Sequence, residues 1–506
     1  MFTQGFRSRY VVLIAVLTGL GLLGVARPAH AQCQPRQLAR LAASDAAASG
    51  EFGYSVAVSG DTAVMGAYGG AKAYVFVRSG GVWTEQATLT ASDGAADDRF
   101  AWSVAISGDT AVIGAMFDDH AGGTNAGSAY VFVNSNGVWT QQAKLTASDA
   151  AANDWFGVSV SVSGDTAVIG ASADDLGVRP NAGSAYVFVK PGGGWANMTQ
   201  TAKLTASNSA ADDYFGGSVS LSGDTAMIGG SNNDHPGKTD AGSAYVFVKP
   251  GGGWMNMTQT ATLRASDAAV GDRFGVSVAV SVSGDTAVIG AYYDDRAGGT
   301  NSGSAYVFVG TGGGWTQQAK LTASDAAAYD VFGSSVAISG DTAVIGARYD
   351  DFVGRTDAGS AYMFVRSGGV WTQQAKLTAC DAEAGDFFGN SVSVSGDTAM
   401  IGAPYDDHAG GNVAGSVYVF DLCTTPGDLD SDGDVDLDDY VRFSECLTGP
   451  GVPIQEGCCA ADLNGCYEVT LMGMGCFSCA ISCQGDCDPD VYCDCFRSRS
   501  LVVCSY

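Results

Sequence analysis

The chain has 506 residues, with 25 lysines and arginines against 53 aspartates and glutamates and a formal net charge of −28. Hydrophobic residues make up 46 %, too many for a disordered acidic chain, so the sequence belongs to a folded protein with a skewed surface. That surface repels a phosphate backbone and argues against a nucleic-acid partner, and 71 glycines without a Gly-X-Y period indicate many tight turns rather than collagen.

Residues 1–31 read as a signal peptide. Arg7 and Arg9 precede an apolar run from Val11 to Ala26, and Ala29-His30-Ala31 is a small-x-small cleavage site. Cleavage before Gln32 removes three arginines and no acid, which takes the net charge to −31. The expectation is a secreted or cell-surface protein, with no transmembrane segment after cleavage, in a compartment that permits disulfides among the 14 cysteines.

Residues 32–423 repeat one unit seven times. The string Ser-Gly-Asp-Thr-Ala places its aspartate at Asp61, Asp109, Asp165, Asp224, Asp285, Asp341 and Asp397, a period that signals a solenoid or propeller. The second unit predicts four short strands: Phe100 to Ser107, Thr110 to Ala115, Ser128 to Val133 and Trp139 to Ala147. Gly108-Asp109 suits a two-residue hairpin turn, and Asn134-Ser135-Asn136-Gly137 a second φ-permissive connection. The third strand is apolar on both faces and needs neighbours on both sides; the fourth carries Gln142, Lys144 and Thr146 on one face and suits an outer edge. The fold class is therefore all-β: a seven-bladed propeller of four-stranded antiparallel blades. The seventh unit stops after its third strand, Ser416 to Leu422. The missing strand is at the N-terminus, where Gln37–Asp45 matches Gln141–Asp149. The same superposition places Cys33 and Cys423 across one hairpin turn and predicts a disulfide that locks the ring.

Phe-Gly-x-Ser-Val followed by Val-Ile-Gly-Ala and Gly-Ser-Ala-Tyr-Val-Phe resembles the FG-GAP repeat, known from the seven-bladed propeller of integrin α subunits and from bacterial exported proteins. The resemblance implies the fold over about residues 38–422. The calcium loop that integrin-type repeats carry between their first two strands is replaced here by a short Ser-Gly-Asp turn, so Asp61 and its equivalents are read as turn residues.

With four antiparallel strands per blade, the second-to-third and fourth-to-next-first connections share one rim. Both are acidic. The first holds Asp118-Asp119, Asp174-Asp175, Asn233-Asp234, Asp294-Asp295, Asp350-Asp351 and Asp406-Asp407, and the second holds Asp149, Asp325 and Asp381 with Asp154, Asp330 and Asp386 behind them. This predicts a negative crown, a candidate cation-binding rim. His120, His235 and His408 follow acidic pairs in separate blades and are read as exposed loop residues. Blade 1, with its short loop, and the loops bearing Pro180 and Pro236 are the only marked irregularities, and no Gly-x-Ser-x-Gly or His-Glu-x-x-His motif is present. The expectation is a protein that is not an enzyme and that binds an extracellular protein or glycan on the propeller.

Residues 424–427 form a linker, and 428–475 a small calcium-binding module. Asp428, Asp430, Asp432, Asp436 and Asp439 occupy positions 1, 3, 5, 9 and 12 of an oxygen-ligand loop with Gly433 at position 6; Asp434 at position 7 contributes its backbone carbonyl. Calcium is the expected cofactor. The loop is similar to a type I dockerin repeat, which implies a cohesin-like or cell-surface partner and leaves open, beside the binding reading, a component of an extracellular polysaccharide-degrading system or a purely structural surface protein. A second copy from Asp462 is eroded, with Cys466, Tyr467 and Gly473 in place of ligands and glycine, and Leu437 and Asp438 stand where dockerins often carry Ser/Thr recognition residues. The Cys-rich tail, 476–506, completes a set of eleven cysteines from Cys446 onward, so either Cys380 reaches the tail or one thiol is free.

Overall fold

A computed structural model describes residues 34–424 apart from 296–297, 312–313, 353 and 409. Those residues form seven antiparallel sheets arranged as the blades of a propeller. Blade 2 contains Phe100–Ser107, Thr110–Ala115, Ser128–Ser135 and Val138–Thr146, paired in chain order. The sequence reading of this blade is matched to within two residues at every strand end. Gly108 takes φ +54° at the first hairpin, while Asn136 and Gly137 take +53° and +86° at the second, where only residues tolerant of the left-handed region fit. Among the described residues no helix is long and apolar enough to cross a membrane.

The ring is closed as the repeat register predicts. Gln34–Leu41 pairs antiparallel with Ser416–Thr424 and completes blade 7 behind Ser391–Ser395 and Thr398–Ala403. Arg40 lies opposite Tyr418, as Lys144 lies opposite Tyr130 in blade 2.

The core lies between blades. Phe156 of blade 3 is fully buried and meets Tyr186 and Phe188 with ring centroids 5.5 and 5.9 Å apart, in a cluster that also takes Val112, Val131 and Leu145 from blade 2. The same trio recurs as Phe215–Tyr245–Phe247 and Phe388–Tyr418–Phe420. Each buried phenylalanine contributes about 2 kcal/mol from area alone. The glycine of Val-Ile-Gly-Ala has a steric reason: a Cβ on Gly114 would sit 2.0 Å from the carbonyl oxygen of Gly157 in the next blade, and Ser103 Oγ donates to that carbonyl at 2.8 Å. At the closing junction Gly402, Gly53 and Ser391 repeat the arrangement.

Two blades depart from four strands. Met198–Thr199 runs parallel to Val138–Thr146 and adds a fifth strand to blade 2; Met257–Thr258 does the same to Ala202–Thr205 of blade 3. The third-to-fourth connections of blades 3 and 4 are longer, so the start of each fourth strand leaves its own sheet and lies along its neighbour's edge. Asn197 Oδ1 accepts there from Lys144 N and Gln200 Oε1 from Ser148 N, at 2.8 and 2.9 Å. The glutamine contact recurs between other blades, as in Gln141 to Ser92 and Gln37 to Cys380. In blade 5 two extra residues before Gly284 shorten the first strand to Val278–Val280 and leave Val282 exposed.

Candidate functional site

The two long connections share one face, as the strand count requires. Asn153 N donates to Thr124 O and Phe156 N to Ala126 O, which ties the second-to-third loop of blade 2 to the entry of blade 3. Gly127 takes φ +84° where a Cβ would strike Phe156 O.

The acidic pairs on this face divide their tasks. The first member is buried: Asp118, Asp174, Asp294, Asp350 and Asp406 are each at most 4 % exposed. Each meets a cation from the fourth strand of its own blade, and that cation also holds an aspartate from the preceding inter-blade loop. Lys203 lies 2.9 Å from Asp174 and 2.6 Å from Asp149. Lys144 joins Asp118 and Asp93, Lys320 joins Asp294 and Asp267, Lys376 joins Asp350 and Asp325, and Arg40 joins Asp406 and Asp381. Serine hydroxyls such as Ser128 and Ser360 donate to the same buried carboxylates. Burial alone pulls the Lys203 ammonium down, but its hydrogen bonds and charge contacts with Asp149 and Asp174 outweigh burial and raise its pKa.

Blade 4 carries Asn208, Asn233 and Thr262 where this clamp would need aspartate, aspartate and lysine, and Asn208 Nδ2 donates to Asn233 Oδ1 at 3.2 Å. Blade 1, without the acidic pair, places Lys72 on its third strand and pairs it with Asp45. Blade 4 thus lacks all three charges together, and blade 1, which keeps only the inter-blade aspartate, supplies it with a different cation.

The second member of each pair is exposed and accepts a backbone N–H six residues on: Asp119 from Asn125, Asp175 from Asn181, Asp295 from Asn301, Asp351 from Asp357 and Asp407 from Val413, at 2.6–3.0 Å. Behind them Asp154, Asp330 and Asp386 accept the N–H three residues earlier; burial, with nearby carboxylates adding to it, pushes them up to about 7, 6 and 7. Among the described residues no group of three or more His, Cys, Asp or Glu side chains is gathered so that it could hold a metal. The histidines are half-buried rather than exposed, because each braces its own loop: His120 Nδ1 accepts from Gly122 N and its Nε2 contacts Gly127 O, and His408 does the same with Gly410 and Gly415. Asp61, Asp165, Asp224 and Asp341 sit at the hairpin turns as read, paired with Arg78, Lys190, Lys249 and Arg366.

Thr424, read as the first residue of the linker, ends the strand Ser416–Thr424 instead; residues 1–31, Cys33, the rest of the linker, the calcium loop Asp428–Asp439 and the tail lie outside the described residues, as does the side chain of Cys423. Cys380 is disulfide-bonded, which excludes it as the free thiol.

The blades are less interchangeable than the repeats suggest: besides the hairpin differences of blades 3, 4 and 5, side chains vary around the axis of the loop face. Four positions vary: the residue before Phe-Gly, the residue after it, and the two residues that follow the second strand. Blades 3 and 4 place Val158 and Gly217 after Phe-Gly, and Ser172 and Ser231 directly after the second strand. The opposite arc is aromatic and cationic. Tyr54 packs against Tyr68 and Trp102 at 4.5 and 4.7 Å, Arg99 lies over Tyr68 at 4.9 Å, Phe387 packs against both Tyr349 and Tyr405 at 5.0 Å, and Arg348 lies over Tyr349 at 4.9 Å. Arg348 Nη1 donates to Asn390 Oδ1, and Asn390 Nδ2 to Tyr54 O, which links blades 6, 7 and 1. A separate groove of about 550 Å³ lies beside the blade 3 clamp, lined by Asp149, Asp175, Arg179 and Lys203 among others; Lys203 there is ion-paired and Arg179 is held by Ser209.

A family model described as the FG-GAP repeat matches seven stretches, 35–78, 83–132, 139–188, 198–247, 257–308, 315–364 and 371–420, each spanning the fourth strand of one blade and the first three of the next. No curated protein matches the chain.

Proposed function

Because the chain belongs to the FG-GAP repeat family, we propose that it is an exported binding or adhesion protein without catalytic activity, which presents the loop face of its propeller to an extracellular ligand and is attached through the calcium module at its C-terminus. The observation that carries this reading is the contrast between a repeated frame and one variable arc. Five blades spend their buried acids on the same internal clamp, whereas the side chains that differ between blades cluster around the axis of one face. A rigid ring with a differentiated arc around its axis suits recognition, since a preorganised surface loses little entropy on binding. Attachment rests on the sequence of the Asp428–Asp439 loop, and export on residues 1–31.

The test is a screen of the full chain against glycan and protein arrays. Saturable binding to one ligand class, reduced by substitutions in the aromatic arc, supports the reading. Turnover of a glycan that vanishes when one acidic residue is replaced overturns it.

A further inference from the structure

Much of the positive charge of this acidic molecule is committed to ion pairs. Lys72, Lys144, Lys190, Lys203, Lys249, Lys320, Lys376, Arg40, Arg78 and Arg366 each face an aspartate. Arg99 and Arg348 do not: neither makes an ion pair among the described residues, and both belong to the aromatic arc, stacked on Tyr68 and Tyr349. The Nε of Arg348 is buried without a hydrogen-bond partner, and so is Oε2 of Glu51, which lies in the same arc beside Tyr68. Two guanidinium groups thus flank half-buried rings, next to one orphaned donor and one orphaned acceptor.

Resting on the binding reading above, we propose that this arc is a subsite for a carboxylated polysaccharide, a chain whose sugar rings stack on Trp102, Tyr54 and Tyr405 while its uronate groups meet Arg99 and Arg348. Pyranose rings present flat C–H faces that complement the negative face of an aromatic ring. A carboxylate accepts two parallel hydrogen bonds from a guanidinium fork, which a stacked arginine presents already oriented. The hydroxyls between carboxylates meet the polar rim that Glu51 and Asn390 give the arc. Both elements are essential: a polyacidic peptide offers carboxylates without pyranose faces, and a nucleic acid offers planar bases with phosphodiesters instead of uronates, so neither satisfies the rings and the arginines together as a uronate-bearing chain does.

The experiment uses the full chain, polygalacturonate as probe, about 150 mM salt and excess chelator, so that no calcium bridges the probe to acidic loops. Binding is followed by affinity electrophoresis and titration calorimetry, with dextran, polyaspartate and an oligo-thymidylate as competitors. The expected result is saturable binding that weakens at least about tenfold in Trp102→Ala and in Arg348→Gln, while Asp119→Asn binds as the parent does. Melting curves establish that each variant is folded; should Trp102→Ala not fold, Arg99→Gln, a half-buried and unpaired position, replaces it. The proposal is overturned if the parent does not bind polygalacturonate, if polyaspartate or oligo-thymidylate competes equally, if dextran binds as well as polygalacturonate, or if the folded arc variants bind undiminished. A protein ligand found on the array and lost in the same variants, without polygalacturonate binding, would remove this proposal and leave the binding reading standing.

Discussion

Replacing Lys203 by threonine isolates the clamp that organises the loop face. Asp174 is 4 % exposed and its carboxylate lies 2.9 Å from Lys203 Nζ, so removal of the lysine leaves a buried carboxylate whose remaining partner is the hydroxyl of Ser184. Breaking a fully buried pair costs about 3–5 kcal/mol, because the surviving charge keeps its desolvation penalty. Lys203 is 17 % exposed and Asp149 46 % exposed, so the second arm of the clamp is screened and adds little. Loss of the ammonium over the Tyr186 ring, at 5.1 Å, adds about 0.5–1 kcal/mol. The expected loss for Lys203→Thr is about 3 kcal/mol. The chain contains its own control, since blade 4 holds Asn208, Asn233 and Thr262 at the three positions. Transplanting that set as Asp149→Asn, Asp174→Asn and Lys203→Thr should recover most of the loss and leave about 1 kcal/mol or less. Urea unfolding of the single, double and triple variants measures the coupling directly. If the single substitution is as mild as the triple, the buried charges are not interdependent and the reasoning fails.

The remaining predictions concern pH, the ring seal and calcium. Asp154, Asp330 and Asp386 have folded pKa values of about 7, 6 and 7, above their ordinary value of 3.8, so the folded state holds more protons than the unfolded one across that interval. Their contribution to stability is present below about pH 4 and is lost as pH rises through 6 to 7; changing all three to asparagine should flatten that decline, measured as the urea midpoint between pH 4.5 and 7.5, and an unchanged slope contradicts it. Non-reducing peptide mapping should recover Cys33 linked to Cys423, and Cys33→Ser should lower the melting temperature; a peptide joining Cys33 to any other cysteine refutes the seal. Calcium should raise the melting temperature relative to chelator, and Asp428→Ala or Asp439→Ala should abolish the part of that shift that arises in the C-terminal module; a shift unaffected by either substitution places the ion elsewhere.

The strands were legible because their two constraints are local. Alternating Val, Ile, Tyr and Phe runs stop at Gly-Asp or Asn-Gly turns, so Phe100–Ser107 and Thr110–Ala115 could be placed without knowing their neighbours. Closure was legible because Gln37–Asp45 aligns with an internal copy of itself. The fate of the acids was not. Asp118-Asp119 in a glycine-rich loop looks solvated, and the groups that bury its first member, Ser128 and Lys144, lie ten and 26 residues away on other strands. A signal existed in the joint replacement of aspartate, aspartate and lysine in blade 4, but it becomes meaningful only once Asn208, Asn233 and Thr262 are adjacent. The parallel strands Met198–Thr199 and Met257–Thr258 are too short for any periodicity to announce them. The aromatic arc was hidden because Tyr54, Trp102, Arg348 and Tyr405 are scattered over 350 residues and share only a position in the repeat.

Oxidative footprinting of the full chain with and without polygalacturonate tests most directly whether the axial arc is the binding surface. The account predicts that Trp102, Tyr54, Tyr349 and Tyr405 lose reactivity when the glycan is present, while Tyr329, 61 % exposed in the inter-blade loop before Phe332, oxidises as before. Unchanged oxidation of the four arc residues, or protection confined to Tyr329 and the acidic rim, would contradict it.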